Sequence, residues 1–415
     1  MTTAPGYRVV VGLSGGTLGG VDVFSAILTR GLVARGIDAR VLLTRPFLRW
    51  NPLPLPDDVP RHELPGGRHE PWGTRWWRLI RYLEAQAPCV YIPNYDYECS
   101  CVSPKLPRDV HVVGIVHSDD PVHYEHVARL GRYWDAVVAV SPTVAAVTGA
   151  RHPRLAPRLH TIPYGIPLPE RLPARPSGDG RRPLQVVYAG RLDQPQKRVL
   201  DLAPIFARLH QRGVPAELTV IGDGPSRADL IAACDGLIVR GAVRWLGTLP
   251  NSAVLEVFDR SDVVILTSAF EGLPVCLLEA MGRGCVPVVT DLRSGIPDLV
   301  VEGVNGHRVP VGDHEGFAAR LAALQGDPAR RQALSAAAFR TVREGGYGAD
   351  RMVDAYVALF ERVRARGRAG EWRRPRGRIR CPPGLDGHTW KDHLPPRVRA
   401  VGTRALGLLR RAAAG

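Results

Sequence analysis

The sequence predicts an α/β protein: two doubly wound, parallel-sheet units facing each other across a cleft, followed by a basic C-terminal tail. Three observations carry this prediction. The chain has 415 residues, enough for two or three domains. Short continuous apolar runs, the pattern of strands buried on both faces, alternate with stretches of helical spacing. That rhythm stops in a Pro-, Gly- and charge-rich stretch at 168–183, then begins again.

In the first unit the runs at 7–12, 39–43, 110–116 and 136–140 read as strands, and 21–34 as a helix. After the linker the expected order is strand 184–188, helix 199–211, strand 217–221, helix 226–234 and strand 243–246. Helix 253–259, strand 263–267, helix 274–283 and strand 286–290 follow. Alternation of this kind implies parallel sheets with helices on both faces. The expected boundaries are 1–167 for the first unit and 168–345 for the second. A closing helix at 346–364 is expected to return to the first unit, and 365–415 form a tail, partly disordered or interfacial.

Composition removes several function classes. Hydrophobic residues are 45% of the chain, so a wholly disordered protein is excluded. The 44 glycines and 37 prolines follow no three-residue period, which excludes a collagen-like rod. No apolar run approaches the roughly 18–20 residues of a membrane span, and residues 1–8 lack the pattern of a secretory leader. The net charge of +15 is uneven, because residues 361–415 hold 15 basic and 4 acidic side chains. The basicity therefore belongs to the tail, and no nucleic-acid partner is expected. Only three lysines occur, Lys105, Lys197 and Lys391, and none follows a glycine, so a P-loop is excluded. Neither 12–20 nor 222–227 spaces its glycines as a dinucleotide fingerprint requires. The seven cysteines, an odd number, suit reduced thiols in the cytoplasm. Cys99 and Cys101 lack the second pair a zinc site takes, so no metal site is expected.

Two segments carry chemistry. In Phe270-Glu271-Gly-Leu-Pro-Val-Cys-Leu-Leu-Glu279-Ala-Met281 two glutamates eight residues apart straddle a helix start, with Pro274 suited to the first turn. Free amides around Gly272 to Val275 favour an anion. A carboxylate beside that anion suits sugar hydroxyls instead. The pattern fits an activated sugar, with its diphosphate on the amides and its hydroxyls on the glutamates. The second segment, Tyr188-Ala-Gly190-Arg191-Leu-Asp-Gln-Pro-Gln-Lys197-Arg198, directly follows a strand. Gly190 allows a tight turn, and Arg191 and Lys197 can reach the cleft to hold a diphosphate and offset its charge as it leaves. The competing reading of that pair is a surface basic patch.

With these motifs the second unit resembles the retaining GT-B glycosyltransferases of glycosyltransferase family 4, a fold of two Rossmann-like domains. Ala189-Gly190-Arg191 with Lys197, Val220-Ile-Gly-Asp-Gly-Pro225, Val243-Arg-Trp-Leu-Gly247, and Ser268-Ala-Phe-Glu271 through Glu279-Ala-Met281 carry the likeness. It continues through Gly306-His-Arg-Val309, and covers roughly residues 8–364, loosely in the first unit. The resemblance implies that Arg191 and Lys197 hold the nucleotide diphosphate and Glu279 the ribose hydroxyls. It places Glu271, with the amides of Gly272 and Leu273 ahead of Pro274, on the donor sugar. Backbone around Gly222 and Thr248 would line the base pocket. In the first unit Gly19-Gly20 resembles the diphosphate-facing loop, and His117 the histidine beside the donor sugar. Ile162-Pro-Tyr164-Gly165 resembles the family's hinge, with Tyr164 in place of the usual Asn.

The resemblance implies retention of anomeric configuration, a nucleotide diphosphate sugar as donor, and no cofactor. Uridine is the favoured base, with guanosine and adenosine as alternatives. The acceptor is expected to be a small molecule, a glycan or a lipid-linked hydroxyl. Trp50, Trp72, Trp76 and Trp77 are candidates for stacking on it, against simple packing of a loop and helix. In the tail Val398, Val401, Ala405 and Leu408 fall on one helical face, flanked by Arg397, Arg404 and Arg411. That spacing suits an anionic membrane surface, and so a cytoplasmic protein held at the inner face of the membrane. The other classes considered are a membrane-recruited binding protein on an inactive scaffold, and a nucleotide-sugar epimerase on the same fold.

Overall fold

A computed structural model describes residues 6–15, 19–45, 55–67, 70–94, 97–174, 182–371 and 374–379. The proposed tail helix at 396–411, and Trp50, lie outside the described residues. The first sheet is built from β1 (Arg8–Leu13), β2 (Asp38–Leu43), β3 (Arg61–Glu63), β4 (Cys89–Ile92), β5 (Val110–Val116), β6 (Ala136–Ala139) and β7 (Leu159–Thr161). Its spatial order is β3-β2-β1-β4-β5-β6-β7. The second is built from β8 (Leu184–Ala189), β9 (Ala216–Ile221), β10 (Val243–Gly247), β11 (Val263–Leu266), β12 (Val286–Thr290) and β13 (His307–Val309). It runs β10-β9-β8-β11-β12-β13. Every strand pair is parallel.

Both sheets read as continuous apolar runs because helices cover both faces. Val9, Val10 and Val11 are all buried, as are all four residues of β11 and all five of β12. In each unit the strand order reverses beside the first strand, between β1 and β4 and between β8 and β11. Such switch points open a crevice at the carboxyl ends of the strands, where ligands of doubly wound sheets bind.

The chain crosses between the units twice. Ile166 in the first crossing pairs with Gly348 in the second. The helix Ala349–Arg368 then lies against Gly20–Ala34, with Arg35 bonded to Asp350 at 3.1 Å and Asp354 at 2.7 Å. This helix runs four residues beyond the expected end. Past it, residues 374–379 pack on the first unit: Arg374 is buried, ion-paired with Asp135 at 3.3 Å, and Gly377 N–H donates to Pro104 O. The start of the tail is therefore docked rather than free, because a buried carboxylate there holds a guanidinium.

One interior contact is tight enough to test. Gly114 of β5 lies flat under the Trp134 ring, and a Cβ there would approach ring carbons to 2.1 Å. Gly114→Ala is expected to lower unfolding free energy by about 1–3 kcal/mol, the range of overpacked cores, measured by urea denaturation.

Candidate active site

The loops after β8 and β11, at the second unit's switch point, carry the two motifs. Gly222, after β9, has φ +128° and its N–H donates to Gly247 O at 2.8 Å. A Cβ on it would come within 1.9 Å of Gly190 O, so the loops after β8 and β9 touch backbone to backbone. Thr248, just past Gly247, is half-buried on the same edge. Tyr188, fully buried, donates its hydroxyl to Arg191 O at 2.8 Å and holds the Gly190–Arg191 turn.

Lys197 and Glu271 meet directly, Nζ to Oε1 at 2.6 Å, with both side chains largely buried. Ser268 Oγ donates to the same carboxylate oxygen at 2.6 Å. Burial alone would depress the Lys197 ammonium, but the Glu271 carboxylate against it holds it above its ordinary 10.5. Arg191 is placed differently. Its Nε pairs with Asp193 at 2.5 Å, its Nη2 donates to Gln196 at 3.0 Å, and the side chain is half exposed. Here Arg191 is tied within its own loop rather than to either glutamate.

Pro274 precedes the helix Val275–Met281, and Glu279 lies on its second turn. Glu279 is buried, and its Oε1 accepts from Asn251 Nδ2 at 2.8 Å. Burial pushes its carboxyl from 4.5 up to about 7, while the Asn251 bond and nearby Arg283 pull it back. Cys276 sits electrostatically between Lys197, Glu271 and Glu279, and burial pushes its thiol up to about 12.

The first unit closes this edge. Ser118 and Gly272 form an antiparallel β-bridge, and Asp119 N–H donates to Glu271 O at 3.1 Å. A Cβ on Gly272 would lie 2.0 Å from His117 O, so only glycine permits this approach. Leu273 is buried beside it. Arg293 Nε reaches across to Asp119 at 3.1 Å, and Tyr124 OH donates to the other Asp119 oxygen at 2.6 Å. Gly19 and Gly20 open the helix Gly20–Ala34 opposite Val275, with 3.2 Å from a Cβ on Gly20 to Val275 Cγ2. Gly19 N–H is already taken by Asp22 Oδ2 at 2.9 Å, and burial pushes that carboxyl up to about 7.

His117 is buried, and both ring nitrogens are bonded: Nδ1 with Tyr164 OH, Nε2 with Asn94 Oδ1 at 3.2 Å. Burial, then His123 and His126, hold it well below the ordinary 6.5. Its contact with the second unit is therefore made by the main chain at Gly272. Asn251 and Arg293 escaped the sequence reading, and Ser268 entered it only within the matched Ser268-Ala-Phe-Glu271 segment. Ser268 stands three residues before Glu271, the one local signal available; the others become neighbours only through the fold.

Residues 183–327 match the family model described as Glycosyl transferases group 1. Lipopolysaccharide 1,6-galactosyltransferase of Salmonella typhimurium is 33% identical over 149 residues, 35% of this chain and 41% of that protein. Glycogen synthase of Mycobacterium tuberculosis is 31% identical over 156 residues, 38% of this chain and 37% of that protein. The matched region thus spans well under half the length of these curated relatives. Sucrose-phosphate synthase from Thermosynechococcus elongatus superposes with a TM-score of 0.68 at 18% identity, over 86% of this chain and 99% of that one. Anabaena Alr3699/HepE in complex with UDP and glucose gives 0.68 at 15% identity, over 86% and 100%. At these identities the structural likeness is one of fold. The chain has the two-domain GT-B fold of these structures, and its second unit carries the sequence pattern of the group 1 glycosyl transferases.

Proposed function

We propose that this protein transfers a sugar from a nucleotide diphosphate sugar, with UDP as carrier, to a hydroxyl-bearing acceptor, with retention of configuration. The supporting observation is the placement of Lys197 on Glu271, with Glu279 on the adjoining helix, at the switch point of the unit that matches group 1 glycosyl transferases. Likeness in fold to a protein bound to UDP and glucose favours the uridine carrier.

In this reading the leaving diphosphate draws Lys197 from Glu271, and Ser268 keeps the carboxylate oriented toward the sugar hydroxyls. Arg191, released from Asp193, adds a second cation. The bond from the anomeric carbon to the diphosphate oxygen breaks. The acceptor oxygen bonds to that carbon on the same face, and its proton passes to the departing phosphate. Positive groups fixed where negative charge grows are the largest electrostatic contribution such a site can make. Glu279 takes the ribose hydroxyls, and the backbone at Gly222 and Thr248 faces the base. Arg191, Lys197, Glu271 and the main chain of His117 form the reacting edge; Gly19 and Gly20 face the diphosphate, Gly190 turns the loop that carries Arg191, and the amides of Gly272 and Leu273, ahead of Pro274, meet the donor sugar. Among the described residues no helix is long and apolar enough to cross a membrane.

A screen of UDP-, GDP- and ADP-sugars tests this. A true donor raises the melting temperature by mass action, and the anomeric coupling of the product reports retention. No shift with any nucleotide sugar, and no transfer or hydrolysis, would remove the proposal.

A further inference from the structure

Tyr164 occupies the hinge position where the family resemblance leads one to expect Asn, and the structure gives it a partner. Its ring is buried, tilted against Phe24 at 5.2 Å between centroids and stacked on His117 at 5.9 Å. Its hydroxyl meets His117 Nδ1. On the other side of the imidazole, Asn94 Nδ2 donates to Gly12 O at 2.8 Å, which leaves Asn94 Oδ1 as the acceptor facing His117 Nε2 at 3.2 Å.

These partners fix every proton in the chain. Asn94 Oδ1 requires a hydrogen on Nε2, so Nδ1 is bare and accepts from the Tyr164 hydroxyl. Asn94 has φ +51°, the left-handed region that asparagine tolerates better than most non-glycine residues. The chain ties four carboxyl-edge segments together: Gly12 in β1, Asn94 after β4, His117 after β5, and Tyr164 in the crossing to the second unit. His117 is also the residue whose carbonyl abuts Gly272, one position before the Ser118–Gly272 bridge and two before the Asp119–Glu271 hydrogen bond.

We infer that Tyr164 is a positioning residue: through the His117 imidazole it holds the 117–119 edge in register with Glu271–Gly272, and so shapes the sugar side of the cleft. It touches neither the nucleotide nor the reacting atoms. The kinetic part rests on the glycosyltransferase reading above; the spectroscopic part does not.

The test uses the full chain labelled with 15N-histidine, the His117 signals being assigned by their loss in His117→Gln. In the unmodified protein His117 should show a protonated Nε2 and a hydrogen-bonded Nδ1. In Tyr164→Phe, which keeps the ring but not the donor, the Nδ1 resonance should move several ppm toward that of an unbonded imidazole nitrogen. Turnover of the best donor should fall about tenfold, as a slightly displaced reacting edge requires, while donor KM and UDP affinity stay within about twofold. The double variant Tyr164→Phe/His117→Gln should be no slower than His117→Gln alone, because the first residue acts through the second. An unmoved Nδ1 resonance, a full additive loss in the double variant, or unchanged turnover in Tyr164→Phe would each overturn the inference. Should no nucleotide sugar turn over in the unmodified protein, the glycosyltransferase reading fails, and the nitrogen shifts still decide whether Tyr164 holds His117.

Discussion

Lys197→Ala is expected to reduce turnover by about 10³-fold and to weaken the fold at the same time. The first effect follows from the charge that builds on a leaving diphosphate: one fixed donor removed from such a site costs about 10²–10³ in rate, and a full positive charge sits at the upper end. The second follows from Glu271. Its side chain is 6% exposed and relies on the ammonium at 2.6 Å and the Ser268 hydroxyl. Without the ammonium it becomes a buried charge with one neutral donor, a change that typically costs about 3–5 kcal/mol. The two effects separate in a double variant. Lys197→Ala/Glu271→Gln removes the stranded charge, so urea denaturation should show much of the lost stability restored while turnover stays near zero. Recovery of activity together with stability would mean that Lys197 serves only as a counter-ion for Glu271.

How much of this site is legible in the sequence depends on distance along the chain. Glu271 and Glu279 flank one helix start, and Lys197 follows one strand, so local pattern suffices to find them. The strands at 110–116 and 263–266 are visible because their apolar runs are continuous. Cys89–Ile92 is not, since Pro88 and Pro93 close in its four residues and read as loop. Yet that strand lies next to β1 and makes the first unit's switch point. Asn251 meets Glu279 across 28 residues, and Arg293 meets Asp119 across 174. No spacing rule connects such pairs. Arg191 illustrates the opposite case: its type and place suit a diphosphate, but an acidic neighbour two residues away claims it at 2.5 Å. The His117 ring bonds through both nitrogens to Tyr164 and Asn94, which lie 47 and 23 residues away, so no spacing rule reveals its partners.

Glu279→Gln should lower affinity for UDP-glucose by about 10²-fold at pH 8, the loss of two hydrogen bonds from ribose hydroxyls to a carboxylate. The pH dependence gives the sharper test. Burial pushes the Glu279 carboxyl up to about 7, and under the proposed role its ionised form is the better acceptor for the two hydroxyls. Affinity in the unmodified protein should therefore fall as pH drops through about 7; UDP-glucose is the probe because its own phosphates do not titrate there. Stability has the opposite sign. A carboxyl raised from 4.5 to about 7 holds, in the folded protein, a proton that the unfolded chain has lost. Its contribution to stability is thus greatest below pH 4.5 and declines as pH rises to about 7. Glu279→Gln should flatten both slopes across that window. Asn251→Ala removes the bond that lowers this carboxyl, so it should move the affinity midpoint upward without abolishing binding. Calorimetry from pH 4.5 to 8 would measure all three proteins. A structural glutamate remote from the nucleotide would still give the stability slope, but it would leave UDP-glucose affinity flat, and that combination would remove Glu279 from the binding site.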